Sequence, residues 1–291
     1  MSAESTFIET LRAFAHHPAA RGLTDDAAVL ELGGEALVLT HDMLVEGVHF
    51  LPDADPADVA WKLVASNLSD LAAKGAEPLG VLLGYMLGER DERFAEGLFE
   101  ALGHYDVPLL GGDTVSGGPP RAYGLTALGR ATHRPVPSRS GAQNGDGLWL
   151  IGALGAAMMG FEALRDGTAA DSEAYRRPRA LLGEGKTLAP QVTAMMDVSD
   201  GLLLDAWRLA EASGVTLAID SAAVPLAAPE DRRLDAMRWG DDYALLFALP
   251  GTAQPASPAT RIGSVHARAF VPLFVDETPI ANSDGLGWQH G

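Results

Sequence analysis

The sequence predicts a mixed α/β (α+β) chain divided into two domains, and three observations carry that expectation. Short apolar runs of strand length alternate with longer segments whose apolar residues recur at helical spacing. The stretch RATHRPVPSRSGAQNGDG, residues 130–147, is rich in proline, glycine and polar residues and has little periodicity. The 291 residues, 47% of them hydrophobic, suffice for one large or two ordinary domains. Taken as an inter-domain crossing, the aperiodic stretch sets the domains at 1–135 and 136–291.

Along the chain, Phe7, Ile8, Leu11 and Phe14 suit an amphipathic N-terminal helix packed on the body. That segment has no basic region followed by an apolar core, so it is not a secretory signal. Strands are predicted at 36–40, 81–87 and 123–128, then at 148–151, 216–219, 243–249 and 270–275. The clearest helix begins at Asp55-Pro56, an N-cap followed by proline at the first helical position. It continues through Val59, Leu63, Val64, Leu68 and Leu71 to Gly75, a residue suited to a helix C-terminus. A second follows residues 199–201 through Leu202, Leu203, Ala206, Leu209 and Ala210 to Gly214, and a third spans 156–165.

A net charge of −18 argues against a nucleic-acid-binding surface. It would also repel an anionic substrate unless a metal or a local basic patch inverts the field. The absence of cysteine excludes disulfides, zinc–thiolate sites and cysteine nucleophiles, and is compatible with a cytoplasmic location. No run approaches the roughly 18 apolar residues of a membrane-spanning helix.

Aspartates recur in short segments: Asp25 and Asp26 in LTDDAAVL, Asp42 in THDMLVEGVHF, Asp70 in NLSDLAAKGAEP, Asp113 in GGDTVSGG, Asp197 and Asp200 in DVSDGL. Converging carboxylates need cations, and Mg²⁺ bridging to phosphate oxygens is the usual reason for such a set. Each has a plainer reading. Asp25–Asp26 suits a solvated turn. Asp70 and Lys74 suit a surface pair four residues apart. Gly111–Gly112–Asp113 suits a tight turn, although its glycines also let a backbone approach phosphate closely. Ser199 or Asp200 suits an N-cap. His49, in the apolar setting EGVHF, is either a phosphate donor or a hydrogen-bonded core histidine.

Two near misses are set aside. GEGKT at 183–187 resembles the tail of a phosphate-binding loop, but its first glycine should stand at Ala180, and Pro190 breaks any long following helix. Gly152–Gly155 follows a strand without dinucleotide-binding spacing.

Read in order, these segments resemble the thiamine-monophosphate kinase family, within the aminoimidazole-ribotide synthetase-like superfamily of ATP-binding proteins. The carrying stretches are DDAAVL, THDMLVEGVHFLPDADPADVAWKLVASNLSDLAAKGAEP, GGDTVSGG, RSGAQNGDGLWLIGALG, DVSDGLLLDAWRLAEASGVTLAID, WGDDYALLFALP, RIGSV and GWQH. The resemblance implies a two-domain PurM-like fold: an N-terminal sheet domain that dimerises and a C-terminal α/β domain. It implies several Mg²⁺ ions at Asp26, Thr40, His41, Asp42, Asp70, Asp113, Asp197 and Asp200, the catalytic role falling on Asp42, Asp113 and Asp197. Gly112, Asp113, Arg139 and Ser199 would contact ATP, and His49, Asp241 and Trp288 the thiamine monophosphate. The implied reaction forms thiamine diphosphate and ADP in a homodimer that binds neither nucleic acid nor membrane. A superfamily enzyme with another acceptor, or a silent nucleotide-binding relative, stays open. Thr24 replaces the usual glycine before the paired aspartates, His41 a usual small hydroxyl residue, Trp239 a glycine and Asp241 a glutamate.

Overall fold

The computed structural model describes residues 3–290. The N-terminal half runs α1 (Ala3–Arg12), a 3₁₀ turn (Pro18–Leu23), β1 (Ala28–Leu32), β2 (Glu35–Val45), α2 (Pro56–Ala73), β3 (Ala76–Leu87), α3 (Asp91–Tyr105), β4 (Leu109–Ser116) and β5 (Ala122–Ala131). The C-terminal half begins with β6 (Gly147–Ile151), α4 (Ala156–Arg165), α5 (Glu173–Arg176), α6 (Leu182–Leu188), β7 (Ala194–Val198) and α7 (Leu202–Ser213). It closes with β8 (Val215–Ile219), α8 (Arg233–Arg238), β9 (Ala244–Leu249), β10 (Thr260–Ala267), β11 (Leu273–Val275) and β12 (Thr278–Ile280). None of the described helices is long and apolar enough to cross a membrane.

The first sheet has the order β1-β2-β5-β3-β4, and the second β12-β11-β8-β10-β6-β9-β7. Pairing is antiparallel except for β3 with β4 and β8 with β11. The stretch between β5 and β6 is irregular, as its composition predicts, yet Val136 and Ala142 within it are buried.

α2 is the element that joins the halves. Asp55 caps it by accepting from the Ala57 amide at 3.2 Å, Pro56 takes the first helical position, and Gly75 closes it at φ +58°. It packs on β2 and β5 from one side, α3 from another, and α6 and β7 from the C-terminal half. It is therefore buried on every side, with no solvent-facing stripe. That places Asp70 and Lys74 in the interior (7% and 0% exposed) and corrects the surface-pair reading. Lys74 has turned to Asp25 and Asp26 instead.

Three further expectations change. α1 forms, but Phe7, Leu11 and Phe14 stay exposed; α2 and α3 already supply the core of the first sheet. Gly111, Gly112 and Asp113 lie inside β4 rather than in a turn. Glycine is needed there for close pairing, since a Cβ on Gly112 would stand 2.0 Å from the Leu83 carbonyl oxygen. The N-cap of α7 is Gly201, not Ser199 or Asp200; Asp205 reaches back to accept from the Asp200 amide at 3.1 Å. GEGKT sits within α6, so it is no strand-to-helix phosphate loop.

Candidate active site

Strand pleating and the burial of α2 assemble the acids. Thr40 and Asp42 alternate with His41 along β2, so both point to the face that α2 covers. Asp70 comes from α2, Asp197 from β7, and Asp26 from the turn before β1. Asp26, Asp70 and Asp197 bring carboxylate oxygens within 4.8 Å of one another. The Thr40 hydroxyl donates to Asp70, Ser69 Oγ donates to Asp197 Oδ2 at 2.7 Å, and the Asp42 amide donates to Asn67 Oδ1 at 3.0 Å.

The electrostatics suit a bound cation. Burial and the charge of Asp200 push the Asp42 carboxyl up to about 6. Burial pushes Asp197 up to about 6 against the Ser69 bond, and burial with the charges of Asp42 and Asp197 raises Asp70 well above the ordinary range. Among the described residues, Asp197 Oδ1 is buried with no hydrogen-bond partner. Hard oxygen donors that raise one another's pKa, one with an unused lone pair, fit Mg²⁺.

Basic side chains stand around the cluster. Lys74 Nζ lies 2.6 Å from Asp25 Oδ1 and 3.0 Å from Asp26 Oδ2. Arg139 pairs with Asp26, leaving its buried Nε without a partner. Asp25 also accepts from Arg21; burial alone would raise its pKa, but Lys74 and Arg21 override that and hold it at about 2. Arg208 bridges Asp200 and Asp205.

A second group lies beside the acids. His49 Nδ1 accepts from the Val45 amide at 3.0 Å, so the neutral ring carries its proton on Nε2 as a free donor. Burial lowers the pKa of the ring, which favours its neutral form. Lys62 Nζ donates to Asp241 Oδ2 at 2.7 Å and to the His49 carbonyl at 3.0 Å, and sits 4.0 Å from the centre of the Tyr175 ring. Asp241 has φ +66° and accepts from the Tyr243 hydroxyl at 3.2 Å. The chain end returns here: the Trp288 amide donates to the Asp200 carbonyl at 2.9 Å, and the His290 ring stands 5.4 Å from that of His49. Ser199 joins through its carbonyl, which accepts from the Asp241 amide at 2.8 Å. Trp239 turns away and packs on Phe161, with ring centres 5.1 Å apart.

Two expected contributors do not reach the cluster within one chain. The His41 ring faces the other side of the sheet and meets Thr126 Oγ1 at 2.9 Å, so only its backbone borders the acids. Asp113 pairs through Gly84 and Gly124 in register with Met43, on the face opposite Asp42. Three strand spacings separate it from β2, about 14 Å. Gly112 lies beside it on β4, the exposed edge.

Lys62, Ser69, Asp205, Arg208, Tyr175 and His290 are the residues that sequence reasoning missed. The signal for Lys62 was present: Pro56–Ala73 carries only Asp58, Lys62 and Asp70 as charges, too few for a solvated face.

Two sheet-and-helix halves meeting at a buried acidic cluster define a protein of the AIR synthase related class. The N-terminal domain model of that class matches residues 24–131 and the C-terminal one residues 143–257. Thiamine-monophosphate kinases of Salmonella typhimurium and Caulobacter vibrioides are 34% and 36% identical, over 92% and 94% of this chain and 91% and 86% of theirs. A solved structure described as "AaThiL complexed with AMPPCP and TMP" is similar at a TM-score of 0.88 and 29% identity, covering 100% of this chain and 99% of that one. The thiamine monophosphate kinase of Aquifex aeolicus gives 0.82 at 28% identity, covering 96% and 99%. The Escherichia coli hydrogenase maturation protein HypE shares the fold alone, at 0.67 and 22% over 93% and 94%. The chain belongs to the thiamine-monophosphate kinase family.

Proposed function

We propose that this protein transfers the γ-phosphoryl group of ATP to the phosphate of thiamine monophosphate, giving thiamine diphosphate and ADP. The observation that carries this is the convergence of Asp26, Asp70 and Asp197, with His49 and Asp241 joined by Lys62 nearby, in a chain of this family. Mg²⁺, when bound, would neutralise the two phosphates and the charge that develops between them. Asp26, Asp70 and Asp197 would hold it, with Asp42 alongside. Arg139 borders the nucleotide, with Ser199 joining by its backbone.

The protein's own task is positioning. His49 Nε2–H donates to the acceptor phosphate. Asp241, oriented by Lys62 and Tyr243, faces the cationic thiazolium, and Trp288 offers it an aromatic face. The acceptor phosphate is already ionised near neutral pH, so no strong general base is needed. The shortened Asp241 keeps its role because Lys62 fixes it from α2, across the boundary between the halves.

We extend the reading to a homodimer. Met43, Leu82 and Val115 are exposed on the sheet face opposite α2, and Asp113 shares that face. A second copy covering it would bury this apolar surface. Asp113 and Gly112 then serve a nucleotide site across the interface.

The test is chromatography after incubation with ATP, Mg²⁺ and thiamine monophosphate. Stoichiometric thiamine diphosphate and ADP are expected. ATP consumption without thiamine diphosphate would assign another acceptor, and ATP binding without turnover a silent relative.

A further inference from the structure

Among the described residues, Lys74 is the one lysine at the acidic cluster, and its surroundings are those of a counter-ion. It closes α2, where the helix dipole favours a cation. Its side chain is 0% exposed, and Nζ approaches two adjacent carboxylates, Asp25 at 2.6 Å and Asp26 at 3.0 Å. A buried lysine is costly unless paired, and two adjacent buried carboxylates repel unless something positive stands between them. Each solves the other's problem. The same Asp26 converges with Asp70 and with Asp197, whose Oδ1 has no partner. The ammonium is therefore one wall of the cluster that the divalent ions enter.

We infer that Lys74 is a resident cation of the metal site, occupying the space between Asp25 and Asp26, behind the face that Asp26 turns to Asp70 and Asp197, in place of a further divalent ion. This rests on the reading of the cluster as a metal site, not on the identity of the phosphate acceptor. Lys74 contributes fixed charge that needs no free Mg²⁺, leaving the face shared by Asp26, Asp70 and Asp197 for exchangeable ions. Arg139, already on Asp26, and Arg21, already on Asp25, reinforce the division. Removing the ammonium leaves Asp25 Oδ1 and Asp26 Oδ2 facing an uncharged gap, while Arg21 and Arg139 stay on the other oxygen of each carboxylate. Oxygen ligands in such a gap recruit a hard cation.

The experiment counts Mn²⁺ bound per full chain, from the electron paramagnetic resonance signal of the free ion, without nucleotide. Lys74→Met, close in length and uncharged, is expected to bind one Mn²⁺ more than the parent protein. The double variant Asp25→Asn/Lys74→Met, which removes one charge of each sign, is expected to return to the parent number. Equal numbers for parent and Lys74→Met overturn the inference, as does no binding by either. Thiamine diphosphate formation by the parent protein is scored separately, so loss of the one reading leaves the other standing. If Lys74→Met is unfolded without metal, Mn²⁺ must restore its far-ultraviolet circular dichroism and the double variant must fold unaided. Failure of either also overturns it.

Discussion

Asp197 gives one carboxylate oxygen to Ser69 and, among the described residues, leaves the other without a partner, so it serves binding at the expense of stability. Asp197→Asn is therefore expected to act in opposite directions on activity and stability. Turnover to thiamine diphosphate should fall by about 100-fold or more, because charge stabilisation at the phosphates is lost. The melting temperature without Mg²⁺ should not fall, since a buried unpaired charge is removed. Near-parental turnover would remove Asp197 from the site.

The carboxyls of Asp42 and Asp197 also set a pH dependence. Their pKa values rise from an ordinary 3.8 to about 6 in the folded, metal-free protein. The folded state then binds more protons than the unfolded one between those values, so metal-free stability falls as pH rises through that window. Mg²⁺ competes with the same protons. It should raise the melting temperature clearly at pH 7.5 and little at pH 4.5, measured by scanning fluorimetry; an equal rise at both would refute the coupling.

At the scale of elements, α2 does most of the positioning, and its packing depends on small residues in its neighbours. A Cβ on Gly97 of α3 would stand 2.2 Å from the Ala57 carbonyl oxygen at the start of α2. Alanine there would gain roughly 0.5–1 kcal/mol of helix propensity. The obstacle is backbone, however, and overpacking of this kind costs about 1–3 kcal/mol, so Gly97→Ala should be destabilising on balance. A lower urea midpoint, with turnover per folded molecule unchanged, is the expected result. A raised midpoint would mean that α3 sits farther from α2.

For the whole molecule, the open face of the first sheet governs assembly. Sedimentation should give the mass of two chains. Leu82→Lys, at an exposed position on that face, should give the mass of one, with loss of nucleotide-dependent turnover if Asp113 acts across the interface. A single-chain mass for the parent protein would contradict the dimer.

Most of the architecture was legible in local signals. Asp55-Pro56, the apolar spacing to Leu71 and Gly75 bounded α2 correctly, because capping and periodicity are properties of contiguous residues. The strands predicted at 36–40, 81–87, 123–128 and 148–151 lie inside β2, β3, β5 and β6. The aspartate segments pointed to converging acids by chemistry alone. Folding alone decided which acids meet. Pleating turned His41 away from the cluster while keeping Thr40 and Asp42 in it, and sheet order left Asp113 three strands away. Burial of α2 between the halves brought Lys62 to Asp241 and Lys74 to Asp25 and Asp26. Those pairings join residues separated in the chain by 179, 49 and 48 positions. A sequence states the charge and reach of each side chain, but a buried ion pair at such separations exists only once packing has removed water from both partners.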